Sequence, residues 1–224
     1  YKLLILLAHS FGYIAKPDDL LNIGINNIGG LELKYAREKG LKIKLLAFGT
    51  RINNQVIGFV APHLIPNNHF AFNVENEFNA VVVEALFSDK QLFLGKGAGS
   101  HPTASAVLSD ISALQFDYAY EYKKSKKEEI LNFETDFSLK VYLSATTQEK
   151  LDQVEFTETL ETYSGQSHSY KIGIVAYSEI QKLDSIFFLN LMENKFEKMD
   201  ESIFKLKELS ILNLNENSIK YIPD

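Results

Sequence analysis

Two hydrophobic rhythms alternate along the chain. Over residues 2–13 Leu3, Leu6 and Leu7 fall on one helical face, and Leu4, Ala8 and Phe11 widen it. The spacing predicts a helix with an apolar band broad enough for burial on most sides. Gly12 and Pro17 end it, and residues 18–28 read as a polar and apolar linker. Gly29-Gly30 precedes a second helix over 31–39, stopped by Gly40. Residues 41–50 then read as a strand with Lys42 and Lys44 pointing outward, 51–55 as a hairpin turn, and 56–62 as the returning antiparallel strand. His63, Pro66 and His69 fall in an irregular crossing. Asn76 and Asn79 read as turn residues at the entry to the next strand. That strand covers 79–86. Its run Val81-Val82-Val83 has no polar alternation, so it is expected to be central and covered on both faces. A further strand spans 91–94.

The stretch from Gly95 to Asp110 (GKGAGSHPTASAVLSD) opens as a glycine-rich turn and closes as a small-residue helix. Glycines at 95, 97 and 99 permit positive φ and close backbone approach. Pro102 suits a first helical turn, where its missing N–H removes no bond. The free N–H groups of such a turn point at whatever precedes the helix. The spacing is G-x-G-x-G, not the G-x-G-x-x-G of a dinucleotide fold, and the lysine and hydroxyl of a phosphate-binding loop are missing. On its residues alone this is either a ligand-facing loop or a plain tight strand-to-helix connection.

Residues 116–122 form an aromatic-rich exit, and the charge run 123–129 (KKSKKEE) reads as a solvated connection. Beyond it the pattern predicts a strand over 136–145, a short helix over 147–154, strands over 156–163 and 170–177, a helical turn through Lys182 and a fourth strand over 186–192. Strand, helix, strand, strand, helix, strand is the order of a ferredoxin-like unit. Residues 195–224 add a charged helix and two short strand-like pieces. The fold class expected is α+β. A mixed, mainly antiparallel sheet with helices packed on one face covers 1–119, a linker covers 120–135, and a small βαββαβ domain covers 136–224.

Composition narrows the function classes. The 224 residues are 46% hydrophobic and 23% charged, ordinary values for a globular chain. A net charge of −6 argues against nucleic acid or an anionic membrane as the main partner. There is no cysteine, hence no disulfide framework and no thiolate metal site. The histidine spacings fit no metal motif, so no metal is expected. No stretch is long and apolar enough to span a bilayer, and no signal-peptide pattern is visible, which points to the cytoplasm. The apolar helix pattern is already under way at Tyr1 without an N-cap, so the expectation is a fragment that starts within a helix.

Several segments carry a resemblance, in order. GKGAGSHPTASAVLSDI resembles the segment that closes the substrate-binding domain of homoserine dehydrogenases, close to G-R-G-A-G-x-x-P-T-A-S-A-V-x-x-D-I. KLLILLAHSFG resembles that family's lysine-bearing helix. GGLELKYAREKGLKIKLLAFGTR resembles its helix-then-strand, and VAPHLIPNNHFAFNVENEFNAVVVEA its "P.LVP..HPLA.V.G..NAV.VE" run. The resemblance implies an NAD(P)-dependent oxidoreductase interconverting L-aspartate 4-semialdehyde and L-homoserine, in threonine and methionine biosynthesis. It implies Lys2 as the catalytic acid/base beside the homoserine hydroxyl. It places Gly97, Ala98 and Gly99, with Thr103 nearby, at the cofactor, NAD or NADP, which the family binds mainly through a domain ahead of this point. The small-molecule substrate's gripping carboxylates lie upstream of Tyr1, so the 224 residues alone are expected to be inactive. The resemblance also implies a homodimer, and a tail of the ACT type with a possible amino-acid effector. In that tail Ser144-Ala145-Thr146-Thr147 stands where a G-x-L effector turn would be, which puts the effector in doubt. The alternative reading is a non-catalytic module for dimerisation and amino-acid sensing.

Overall fold

The structure, a computed structural model, describes residues 1–85, 87–119 and 130–183 and the backbone of 187–191. Its elements in order are α1 (Lys2–Phe11), β1 (Leu21–Asn22), α2 (Gly30–Glu38), β2 (Lys42–Ile52), β3 (Gln55–Ile65), β4 (Phe78–Ala85), β5 (Asp89–Lys96), α3 (Ser100–Leu114), β6 (Asn132–Phe133), β7 (Ser138–Ala145), α4 (Gln148–Asp152), β8 (Phe156–Ser164), β9 (Ser169–Ala176), α5 (Tyr177–Ile180) and β10 (Phe187–Leu191).

The central strand is β3. Its run QVIGFVAPHLI is apolar almost without interruption, the pattern of a strand covered on both faces. β2 pairs antiparallel along its whole length, from Lys42 opposite Ile65 to Ile52 opposite Gln55. The turn between them uses Asn53 at φ 55°, a conformation asparagine tolerates. The other edge of β3 is completed by three short parallel strands laid end to end. β6 meets Gln55 and Val56, β1 meets Phe59 and Val60, and β10 meets His63 and Leu64. Pro62, which has no N–H to give, falls in the gap between β1 and β10, a position where an inner strand can accept proline.

Through β10 the sheet continues without a break into β7, β9 and β8, each step antiparallel. One eight-stranded sheet therefore crosses the 120–135 segment that the sequence marks as a linker. The packing is shared as well. Val56 packs with Leu3 and Leu7 of α1, and Leu64 with Ala36 of α2. On the opposite face Ile57, Phe59 and Ala61 join Phe137, Leu139, Val141 and Leu143 of the tail, with Leu151 of α4 and Tyr177 and Ile180 of α5. The Tyr177 hydroxyl also accepts a bond from the Leu21 N–H at 3.0 Å, so α5 holds the start of β1.

β4 and β5 stand apart as a two-stranded sheet, and α3 has no buried residue. This corrects the expectation for Val81-Val82-Val83. Among the described residues their strand has only β5 beside it, and Val81 and Val83 are 39% and 42% exposed. β-branched runs suit any pleated surface, so the run marks a strand without saying what covers it. A second correction concerns His63, which lies inside β3; the irregular crossing begins only after Ile65. The charge run 123–129 and the pieces expected over 195–224 lie outside the described residues.

Candidate functional site

The glycine segment is set by the β4–β5 ladder. Asn79 pairs with Gly95 and Phe78 with Lys96, and the next N–H, that of Gly97, donates to the Glu77 carbonyl at 2.8 Å. The Asn79 amide lies over Gly97 so closely that a Cβ there would sit 1.5 Å from Asn79 Nδ2. Asn79 is thus a strand residue that covers Gly97, not a turn residue. Asn76, at φ 56°, does take a turn conformation. Gly99 is the residue before α3 and has φ 110°, ψ 157°, open only to glycine. Thr103 ties the first turn back to it: its Oγ1 donates to the Gly99 carbonyl at 2.8 Å and its N–H at 3.2 Å. A Cβ on Gly95 would meet nothing within 4 Å. The segment is exposed from Gly95 to His101. An exposed, side-chain-poor loop ahead of a fifteen-residue helix has the shape that lets a bulky anionic group approach the backbone, so these residues fit a dinucleotide.

Two lysines of β2 tie the segment leading into this arm to the sheet: Lys42 bonds to Glu75, and Lys44 Nζ donates to the Val74 carbonyl at 2.6 Å. Within the arm Lys96 reaches Glu77 at 2.9 Å. The lysines hold both carboxyls below their ordinary range, Glu75 chiefly through its hydrogen bond from Lys42 and Glu77 through that from Lys96.

Lys2 begins α1 and is exposed. Its helix lies across the middle of the β2–β3 hairpin, where Leu3 and Leu7 pack onto Gly49 and Leu7 onto Gly58. Lys42, the tether of the arm, is seven residues further along β2, about 23 Å at the rise of a strand. Lys2 and the Gly97–Thr103 segment are therefore carried by different parts of the framework, and no described contact joins them. His63 is 4% exposed, with Nδ1 2.8 Å from the Ala61 carbonyl and its ring stacked on Phe59. Burial lowers its pKa from 6.5 to about 4. Among the described residues no three His, Asp or Glu side chains gather to hold a metal ion. No helix there is long and apolar enough to cross a membrane.

One buried polar pair has no counterpart in the sequence reading. Glu32 of α2 is 2% exposed and accepts hydrogen bonds from the Gly29 N–H at 2.9 Å and from Ser144 Oγ of β7 at 2.6 Å. The Gly29-x-x-Glu32 spacing is a capping signal that could have suggested the first bond. Nothing local could have suggested the second, which spans 112 residues.

The family profile described as homoserine dehydrogenase matches residues 1–112, half of the chain. The chain belongs to the homoserine dehydrogenase family. The homoserine dehydrogenase of Helicobacter pylori is 29% identical over 213 residues, 95% of this chain and 48% of its own length. That of Corynebacterium glutamicum is 37% identical over 115 residues, 49% of this chain and 26% of its own length. Among solved structures, a homoserine dehydrogenase from Thiobacillus denitrificans matches with a TM-score of 0.64 at 22% identity, over 85% of this chain and 51% of that one; this shows the fold alone. The homoserine dehydrogenase of S. aureus at pH 6.0 matches with a TM-score of 0.57 at 26% identity, over 85% of this chain and 52% of that one. The chain spans about half the length of the solved homoserine dehydrogenases and no more than that of these two curated relatives.

Proposed function

We propose that these residues are the substrate-binding and tail part of an NAD(P)-dependent homoserine dehydrogenase that interconverts L-aspartate 4-semialdehyde and L-homoserine in the cytoplasm. The observation that carries this reading is the family match together with the shape of the 95–103 segment. When bound, the nicotinamide supplies hydride transfer. The chain's own contribution is positioning and proton handling. The backbone at Gly97, Ala98 and Gly99 gives the dinucleotide close approach, and Thr103 fixes the turn that presents it. Lys2 Nζ holds and moves the proton at the homoserine hydroxyl oxygen. Substrate carboxylates and most of the nucleotide pocket would come from the upstream half that the relatives possess, so the 224 residues alone should not turn over. The apolar arm then has two natural covers, that upstream half and a second subunit of a homodimer. The tail is read as an ACT-like domain over 136–224, set off by the 120–135 segment. Its strand order β10-β7-β9-β8, the fourth, first, third and second strands of the unit, supports that topology.

The test extends the chain upstream to the length of its relatives and follows NAD(P)H formation with homoserine. Lys2→Ala should lower kcat by about 100-fold or more. Equal activity in the variant would remove Lys2 from the mechanism, and an inactive extended chain with both cofactors would remove the reaction.

A further inference from the structure

Backbone conformation does not explain the glycine at 97. Its φ lies outside the left-handed region, unlike that of Gly99. What forbids a side chain is Asn79. Asn79 pairs with Gly95, and Gly97 is its diagonal neighbour on the same face of the β4–β5 ladder. A Cβ at 97 would lie 1.5 Å from Asn79 Nδ2 and 2.6 Å from its Cγ, so the amide fills the space where that side chain would stand. At Gly95 the same face is open, with nothing within 4 Å of a Cβ. The amide thus stands between two residues without side chains, and Asn79 is exposed. Among the described residues no hydrogen bond engages it. The loop's own cation serves the other face. Side chains alternate along a strand, so Lys96 points away from the side of Gly95 and Gly97. Its Nζ reaches Glu77 at 2.9 Å and lies 5.6 Å from the centre of the Phe78 ring. On the glycine face the side-chain donor is therefore the Asn79 amide, with two N–H bonds to give.

We propose that Asn79 contacts the bound dinucleotide, its amide donating to the anionic part, and that residue 97 is glycine so that this amide can lie there. The proposal deepens the functional reading of the 95–103 segment and rests on it. It adds a side chain where the segment had offered backbone alone. It gives the space beside Gly97 to Asn79 and leaves the peptide groups of 97–99 to approach the ligand. A hydrogen bond to a charged group is among the stronger ones, so an exposed amide held in place beside the loop is a useful contact.

The test measures binding of NADH and NADPH to the upstream-extended protein by cofactor fluorescence, without homoserine. Asn79→Ala should weaken the preferred cofactor about tenfold or more. Gly97→Ala pushes the amide aside and should weaken it by a similar factor. The double variant should bind no worse than Asn79→Ala alone, because the added methyl has room once the amide is gone. Asn79→Asp keeps the shape that covers Gly97 but loses both donors and brings a negative charge, so it should bind more weakly still. A role in packing alone would leave Asn79→Asp close to the wild type. The proposal is overturned if Asn79→Ala or Asn79→Asp binds as the wild type does, or if Gly97→Ala costs as much in the Asn79→Ala background as in the wild type. If the wild type binds a cofactor and oxidises homoserine while any of these results appears, only this proposal fails. If the wild type binds neither NADH nor NADPH, the functional reading fails and takes this proposal with it.

Discussion

The sheet around β3 and the β4–β5–α3 arm are built from similarly apolar sequence and end in opposite states. Leu139, Val141 and Leu143 are fully buried, whereas Phe93, Leu108 and Leu114 are 58%, 65% and 66% exposed. The difference is what each can reach. β3 and β7 have neighbours on both edges and helices over their faces. Among the described residues the arm has one ladder, one helix and a tether to β2 through Lys42–Glu75 and the bond from Lys44 to the Val74 carbonyl. Scattered exposed leucines are ordinary, but a helix and a hairpin exposed together make a contiguous apolar surface, the kind that the proposed covers of the arm would bury.

The contrast can be broken most sharply in the core. Leu143→Ala should destabilise the chain by about 2–5 kcal/mol in urea unfolding, because the site is closed on all sides. A smaller effect comes from His63. Its folded pKa of about 4 lies below the 6.5 of an exposed imidazole, so the unfolded chain takes up the proton first. Its contribution is complete above about pH 6.5 and is lost as pH falls toward 4, up to about 3 kcal/mol in all. Urea midpoints measured between pH 7 and pH 5, above most carboxylate titrations, should fall in the wild type and fall less in His63→Gln. Gly97→Val forces Asn79 aside and should loosen the arm by about 1–3 kcal/mol, read as faster amide exchange in 78–103 with the β2–β3 amides unchanged. Least affected should be Leu108→Ala, within about 0.5 kcal/mol in this chain. The same substitution in the extended protein should cost more, and that increase would measure the missing cover.

Local chemistry made the hairpin legible. The Asn53-Asn54 turn and the flanking strands could be read directly, and the β2 and β3 bounds moved by only a few residues. The tail's six elements were readable for the same reason, since each follows one period with a turn signal between. What could not be read was who sits beside whom. Val81-Val82-Val83 and the β3 run are alike as strings, and only pairing partners far along the chain make one inner and leave the other bare. The two-residue strand at Leu21-Asn22 is too short to show a period and exists because Phe59 and Val60 need an edge. At the site, the glycines at 97 and 99 were visible as glycines, whereas the reason for Gly97, the Asn79 amide across the ladder, was not. Lys2 gave no local sign beyond being a lysine; its role rests on likeness alone.

The three short strands along one edge of β3 have a consequence in time. Residues 21–22 are made before β3, but 132–133 and 187–191 are made long after it. While the ribosome works through the arm and the tail, an apolar strand waits with most of one edge unpaired. Such an edge is a template for pairing with another chain. Distant pairing of this kind also slows folding, because a long loop must close before it is rewarded. Nascent chains released before residue 190 should therefore associate or engage chaperones through β3, and completion of β10 is the event that closes the seam.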